Sequence, residues 1–551
     1  MRVAQSILGI VAAFAVCNSA QAIDISKQPT QNMSCSAGVC TPTAPKAVLN
    51  VGDLTNMLAS GDLSVQTGNG DDTSAGITIV NTFTWTNSSR LTLTARNNVT
   101  VEAPVTVAGN GAVTISYAVG NPNGDLQFEK KGKLDFKSLS SGLIINGNSY
   151  TLVSDIKTLA VDIAANASGF YALSRNYDAS VDGIYRESPI EAVLSGSGTF
   201  EGLGHSIENL TISHGSGTPN PSERHEPSFY SHYLGLFYQN YGTIRDINLL
   251  NVSASSLHRV RAHLNWYQST LTGHNRGRIL HVFASGSVTG SNSGGLVGQN
   301  EGDILHSSAD VVVSALYRAG GLVATNGGYF QEGLIVASHA SGPVSAQILA
   351  AGGLVGDTGS SRGRGGAVDE SFATGSVYVE GPGAERSRCG LHAYARRSMP
   401  PAPPCERGYA GGLLGLSHLG AFSNSYATGA VSADPGNVIG GFAGAKRNGT
   451  TMGTSYSTGT VSMTDSISAA SHIGGFLGST PRKGLENNYW DIDTSGQQQA
   501  CGMQCEGVTG LTDAQLKSGL PDGFDPKIWG QSPDINSGYP CLLANPPPKG
   551  Q

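Results

Sequence analysis

Gly294-Gly295-Leu296-Val297-Gly298 decides how this chain is read, because the phrase keeps returning. It comes back as Gly320-Gly321-Leu322-Val323-Ala324, Gly352-Gly353-Leu354-Val355-Gly356 and Gly411-Gly412-Leu413-Leu414-Gly415. The last copies are Gly440-Gly441-Phe442-Ala443-Gly444 and Gly474-Gly475-Phe476-Leu477-Gly478. Their starts lie 26, 32, 59, 29 and 34 residues apart. Recurrence in the twenties to thirties marks a stacked array of small units. Each unit also has a second half. After Leu296-Val297 come Asn300, Gly302, Ile304 and a small-residue strand ending near Val313. The same half reads Phe283-Ala284-Ser285-Gly286-Ser287-Val288, Phe372-Ala373-Thr374-Gly375-Ser376-Val377, Tyr426-Ala427-Thr428-Gly429-Ala430-Val431 and Tyr456-Ser457-Thr458-Gly459-Thr460-Val461.

Strand-sized pieces split by glycine do not make helices, where Gly is costly; Gly serves better at sharp turns needing positive φ. One unit is therefore two or three short strands joined by tight corners. Alone it cannot bury its apolar face, but a stack can. The pattern predicts an all-β fold, a right-handed parallel β-helix (solenoid) with short capping helices and neighbouring coils ~4.8 Å apart.

Stacking in register predicts columns of like residues. One reads Asn240, Asn275, Asn300 and Asn326, continued by Thr358, Ser417, Lys446 and Thr480. Stacked Asn side chains satisfy each other's donors and acceptors. A second reads Phe283, Phe372, Tyr426, Tyr456 and Tyr489, interrupted by Ser308 and His339. Both columns read as structural, since a ligand site has no reason to recur in every coil.

These residues resemble the bacterial GLUG repeat, with signature GGLVGxNxG-I-S-A-G-V, over roughly 196–490. The flanks resemble those of large secreted bacterial proteins of the filamentous-haemagglutinin-like, adhesin type. Later repeats depart from the signature: Ser417 and Lys446 replace the Asn, and Met452-Gly453-Thr454 replaces the apolar strand centre. The resemblance implies a location and a shape more than a chemistry. It points to a non-catalytic, secreted or surface-exposed protein that mediates attachment. Its partners would be glycans or other surface molecules of a host or the environment, with a dedicated outer-membrane secretion partner.

Composition agrees with a long scaffold. The chain has 551 residues, beyond an ordinary single core, but repeats escape that limit by growing in one dimension. Gly accounts for 75 residues and charged residues for only 13%, with a formal charge of -7 that offers no basic field for nucleic acid. Residues 1–22 read as a secretory signal: Arg2 is the basic start, Ile7 to Val16 the apolar core, and Ala20-Gln21-Ala22 the cleavage site. Val16 is too large beside Cys17 for a lipoprotein signal. No other stretch approaches the ~18 apolar residues of a membrane-spanning helix. Export favours disulfides among the cysteines that remain. Cys35–Cys40 and Cys389–Cys405 are plausible local pairs, while Cys501, Cys505 and Cys541 cannot all pair within one chain. Cys501-Gly-Met-Gln-Cys505 lacks a second ligand pair for zinc.

The chain then divides as follows. Residues 23–48, rich in Pro, Thr and Ser, read as a flexible arm. Residues 49–150 read as an N-terminal β-helical region, opened by a helix over Gly52 to Ala59 with Leu54 and Leu58 on one face. Leu91-Thr92-Leu93-Thr94, Val99-Thr100-Val101 and Val113-Thr114-Ile115 alternate as strands do. Asn121-Pro122-Asn123-Gly124 resembles an export-domain motif of two-partner-secreted adhesins, but four residues of turn-forming type read better as a plain turn. Residues 151–195 hold an amphipathic helix over Ser154 to Ala165, capped by Ser154, with connecting strands. The repeat array covers 196–490, with insertions at 213–233 and 382–409, and 491–551 form a C-terminal cap over the open end. Thr512-Asp513-Ala514-Gln515 is a capping box.

The first insertion holds His214, His225, Glu226 and His232, whose spacing fits no helix-borne metal motif, so it reads as a solvated loop. The second concentrates Arg386, Arg388, Arg396, Arg397 and Arg407, a candidate anion-binding loop that Cys389 and Cys405 would close. No cofactor, metal or catalytic residue is assigned. Parallel β-helices also carry polysaccharide lyases and glycoside hydrolases, so a carbohydrate-active enzyme is the alternative. The nearest carboxylate pairs, Asp71 with Asp72 and Asp491 with Asp493, sit in turns without a basic partner.

Overall fold

The computed structural model describes residues 22–68, 74–119, 121–214, 232–256, 266–359, 364–380, 407–447, 449–465, 471–479 and 483–547. It is a parallel β-helix in two compact units, 1–149 and 150–551.

In the first unit, Ile23–Ser26 lies between Ala47–Asn50 and Ile77–Ile79, and Val99–Val101 and Leu126–Phe128 continue the same parallel sheet. A second sheet stacks Phe83–Trp85, Pro104–Val107 and Lys133–Phe136. A third runs Val39–Pro42, Leu63–Gln66, Arg90–Thr94, Ala112–Ser116 and Gly142–Ile145. Alternation puts one face of each strand inside, as in Arg90–Thr94, where only Leu91 and Leu93 are buried. The helix Val51–Ser60 buries Leu54 and Leu58, and the Asn50 side chain caps it.

The flexible arm expected at 23–48 is instead the first coil. Ile23, Ile25 and Leu49 are fully buried, so the apolar residues among the Pro and Thr pin this segment to the sheet. The hairpin Met33–Ser36 with Val39–Pro42 is antiparallel, and the Cys35–Cys40 disulfide joins its strands. A Pro- and Thr-rich composition was a poor guide, because two buried isoleucines at alternating positions outweigh it.

The second unit has three parallel sheets. The first stacks Phe170–Leu173, Thr199–Glu201, Thr243–Arg245, Arg278–Leu280, Asp303–Leu305 and Leu334–Val336, and continues to Leu485–Glu486. The second includes the long strands Asn248–Ser256, Phe283–Gly294 and Ser308–Gly320. The third stacks Phe237–Asn240, Thr272–Asn275, Val297–Asn300, Val323–Asn326, Val355–Asp357, Leu414–Ser417, Ala443–Lys446 and Leu477–Ser479. The third residue of each glycine phrase forms the spine of the core: Leu296, Leu322, Leu354, Leu413, Phe442 and Phe476 are all fully buried.

The paired glycines serve a different purpose from the one expected. None of them has a positive φ. The need is for space: a Cβ on Gly294 would lie 1.9 Å from the Val297 carbonyl oxygen of its own corner. One on Gly295 would lie 1.9 Å from the Gly321 carbonyl oxygen of the next coil. The first glycine closes the corner and the second lets coils approach. Left-handed backbone falls elsewhere, on Asp246, His281, His306, Ala337, Glu370, Asn424, Thr454 and Asn487, at φ between 43° and 55°. These residues turn each coil from the first sheet into the second.

Two further boundaries differ. The helix at 154–165 spans Ile156–Ala165 and is capped by Asp155, whose carboxylate accepts from Thr158 N; Leu152 belongs to the preceding strand. The C-terminal segment is not simply a lid on the open end. Val508–Leu511 adds a parallel strand to Asn488–Asp491, so the stack does not stop at Tyr489-Trp490-Asp491. After the capping box at Thr512 and the helix Asp513–Leu516, the chain turns back along the flank. Leu516, Phe524, Trp529, Tyr539 and Leu542 pack on Phe372, Tyr426, Tyr456 and Tyr489. Asn545 reaches back to donate to the carbonyls of Ser338 and Glu370, at 3.1 and 3.2 Å. The aromatic column is solvent-facing without this strap, which explains why the strap follows it instead of crossing the coil end.

Candidate functional site

The columns come first, since they fix what is left for function. Asn240, Asn275, Asn300 and Asn326 are fully buried, and each Nδ2 donates to the next Oδ1 at 2.8 Å. Thr358 and Ser417 continue by hydroxyl contact at 3.1 Å. At Lys446 the amine instead donates to the carbonyls of Thr450 and Lys483, at 3.0 and 2.7 Å. In the aromatic column His339, Phe372, Tyr426 and Tyr456 stack nearly parallel, with centroids 4.6, 4.7 and 5.2 Å apart. Tyr489 is in register with Tyr456, whereas Phe283 is separated from the rings by Ser308. A third column escaped the sequence reading. Ser307, Ser338, Ser371, Ser425 and Ser455 are buried, and the backbone N–H of each donates to the next serine's Oγ at 3.1–3.4 Å. Its signal was a Ser before His339, Phe372, Tyr426 and Tyr456, masked by the abundance of Ser throughout the chain.

The two insertions differ in what can be seen. The second leaves after Val377–Val379 and returns at Tyr409–Gly411, and both strands keep register with their neighbours. Arg386, Arg388, Arg396, Arg397, Cys389 and Cys405 lie outside the described residues; Arg407 is half-buried at the point of return. At the first insertion, His225 and Glu226 also lie outside them, but His214 and His232 do not. The expected solvated loop is, at its two ends, a cluster. His214 Nδ1 lies 2.7 Å from Glu187 Oε1, and His232 Nε2 lies 3.3 Å from Glu187 Oε2. Burial raises the Glu187 carboxyl, but hydrogen bonds and charge from the two imidazoles outweigh it and hold it down to about 2. Trp266 packs on both rings, with centroids 4.1 Å from His232 and 4.8 Å from His214.

An aromatic platform stands on the third sheet, and the sequence reading missed it. The Arg276 guanidinium sits 5.5 Å from the Tyr241 ring centroid and 5.0 Å from that of Phe330. Tyr329 packs edge-on against Phe330. Tyr329 and Phe330 are 70% and 66% exposed, unusual for large rings outside an interaction surface. Glu301 holds Arg276 from below, Oε2 to Nε at 2.9 Å, and its Oε1 accepts from the Tyr329 backbone N–H at 3.2 Å. The exposed rings are thus positioned by a charged pair rooted in a coil.

The carboxylates with a shared environment are Glu201 and Asp246. Arg245 Nε lies 3.2 Å from Glu201 and 2.5 Å from Asp246, and His281 Nδ1 lies 3.2 Å from Asp246. Burial and the neighbouring Asp246 push Glu201 well up. Burial would raise Asp246 too, but Arg245 and His281 outweigh it and hold it down. Opposed shifts of this kind suit acid–base work, yet both carboxylates are closed off, Glu201 and Asp246 being 1% and 4% exposed. Asp491 and Asp493, expected in a turn, instead end the strand Asn488–Asp491 and lie in the helix Ile492–Ser495; Asp491 caps that helix and accepts from Tyr539 Oη. The Cys501–Cys505 disulfide is formed and Cys541 is a buried free thiol.

Comparison with known proteins adds two likenesses. No family model matches the chain. It is 27% identical to halomucin from Haloquadratum walsbyi over 329 residues, which are 58% of this chain and 3% of halomucin. The chain thus spans a small fraction of that relative's length. A solved structure, a candidate immunoglobulin A1 protease from Bacteroides ovatus, aligns at 18% identity with a TM-score of 0.39, covering 72% of this chain and 93% of that one. A likeness at that score carries no argument about this chain's activity. Among the described residues no helix is long and apolar enough to cross a membrane.

Proposed function

We propose that this protein is a secreted, non-catalytic β-helical protein of adhesin type, built on GLUG-like repeats and binding surface glycans through the platform of Tyr241, Arg276, Tyr329 and Phe330. The exposed ring pair beside a held guanidinium carries this reading. Sugar rings present a flat apolar C–H face and a rim of hydroxyls, and aromatic faces with an adjacent planar donor fork complement both. The repeat scaffold supports it as well, since the platform residues sit in corners that directly follow stacked strands, where Glu301 holds them with low conformational cost on binding. Export through the signal read at 1–22 would place the platform where such glycans are met.

A glycan-binding screen with the purified mature chain tests the proposal. Phe330→Ala and Tyr329→Ala should each weaken retention on the glycan that binds, with the thermal transition unchanged. Binding indifferent to both substitutions would remove the platform from the function. The enzyme reading rests on Glu201 with Asp246. Incubation with acidic polysaccharides, followed by absorbance of unsaturated products and by reducing ends, distinguishes it; turnover lost in Glu201→Gln would replace the binding reading with a lyase or hydrolase.

A further inference from the structure

We propose that Glu187, His214 and His232 form a binding site for a borderline transition-metal ion such as Zn²⁺, closing the base of the first insertion. The three residues come from separate stretches: Glu187 precedes the array, His214 ends the strand Thr211–His214, and His232 begins the strand His232–Leu234. Their ligand atoms all lie within 4.8 Å of one another. Donors bound to zinc at ~2.0–2.2 Å stand ~3.3–3.6 Å apart, so the 2.7 Å contact would open by under ~1 Å and the 3.3 Å contact barely move.

A purely hydrogen-bonded cluster is the simpler account, and it makes a demand. Each imidazole must present an N–H to the one carboxylate, on Nδ1 of His214 and Nε2 of His232. A cation between the three donors meets the same carboxylate without fixing either tautomer. The donor set, two imidazole nitrogens and a carboxylate, suits Zn²⁺, Ni²⁺ or Cu²⁺ rather than Ca²⁺ or Mg²⁺, which prefer all-oxygen shells. The Arg186 carbonyl oxygen lies 3.1 Å from His214 Nδ1, within reach as a fourth donor. Trp266, in register with His232, walls one side and orients both rings. The side chains are 12%, 31% and 43% exposed for His214, His232 and Glu187, so an ion can enter from solvent. The chain leaves the stack at His214 and re-enters at His232, so one ion would tie both ends of the insertion to the segment carrying Glu187.

The test titrates ZnCl2 into the chelator-treated mature chain by calorimetry, and CuCl2 by quenching of tryptophan fluorescence. One Zn²⁺ per chain with micromolar or tighter affinity is expected. Glu187→Gln and His232→Ala should each weaken it by at least about tenfold. Copper quenching should shrink in Trp266→Phe, because Trp85, Trp490 and Trp529 are buried elsewhere. His225→Ala is the control and should bind as the parent does. Absence of stoichiometric zinc binding, or unchanged affinity in the His214→Ala/His232→Ala double variant with a native thermal transition, overturns the proposal. Loss of binding in His225→Ala alone would do the same.

Discussion

The first and last coils of the second unit are held by different columns. From Asn240 to Asn326 the coils share a buried amide ladder, each link 2.8 Å long. From His339 to Tyr456 they share stacked rings on the second sheet, one first-sheet strand further along each coil, covered by the returning strap. The amide ladder stops where the rings begin, and the aromatic at the ring position in the earlier coils, Phe283, is only half-buried beside Ser308. An amide ladder satisfies itself, because every Asn is both donor and acceptor to its neighbours. A ring column does not: its outer edge needs cover, and the cover must come from elsewhere in the chain. The comparison teaches that stacking in register has two solutions, one closed and one dependent on a distant segment.

The largest break in this comparison is expected in the covered half. Tyr456→Ala removes a fully buried ring from the stack and its bond to the strap, and should cost about 3–5 kcal/mol in denaturant unfolding. An effect below about 1 kcal/mol would mean that the strap repacks freely. In the self-satisfied half, Asn300→Leu leaves Asn275 Nδ2 without its acceptor and Asn326 Oδ1 without its donor. A loss of about 1–3 kcal/mol is expected, and a neutral result would show that the ladder is not cooperative.

Single hydroxyls sharpen the picture. Tyr456 Oη donates to Pro540 O at 2.6 Å and accepts from Asn536 Nδ2 at 2.8 Å, whereas the buried Tyr426 Oη has no hydrogen-bond partner among the described residues. Tyr456→Phe should therefore cost about 1–2 kcal/mol and Tyr426→Phe be neutral or slightly stabilising. Equal costs would remove the distinction.

The smallest effect is a pH slope. Burial holds His339 below its usual pKa, and its bond to Asn545 offsets this only in part. The unfolded chain then takes the proton first, so stability falls as pH drops through the ordinary His range near ~6.5 and towards the folded value. His339→Phe should make stability fall less over that range; His274, which burial also holds down, contributes in the same sense, and Glu201, which burial and Asp246 push up, in the opposite sense. Thermal melts from neutral to mildly acidic pH give the comparison.

Much of this architecture was legible because its causes are local and repeated. A glycine pair followed by an apolar residue dictates a corner, and repetition dictates a stack. Asn and aromatic columns followed from counting. The strap was not legible, since Asn545 finds Ser338 across 207 residues and nothing near position 545 advertises it. The role of the paired glycines was misread for a related reason: sequence shows the absence of a side chain, but not whether backbone angle or neighbouring carbonyl requires it. Glu187, His214 and His232 meet only because coils bring ends of strands together. Each alone was one more polar residue in a loop.

The strap also changes how the coils share their fate. A solenoid coil feels only its neighbours, so its units unravel one by one from an end. A segment fastened at Tyr456, Asp491 and Ser338 bypasses that rule. It ties coils that are not adjacent, and the last stretch of the array should open as one block. It is also made after the coils that it covers. The rings therefore wait uncovered until the strap has followed them, and only then does the clasp shut.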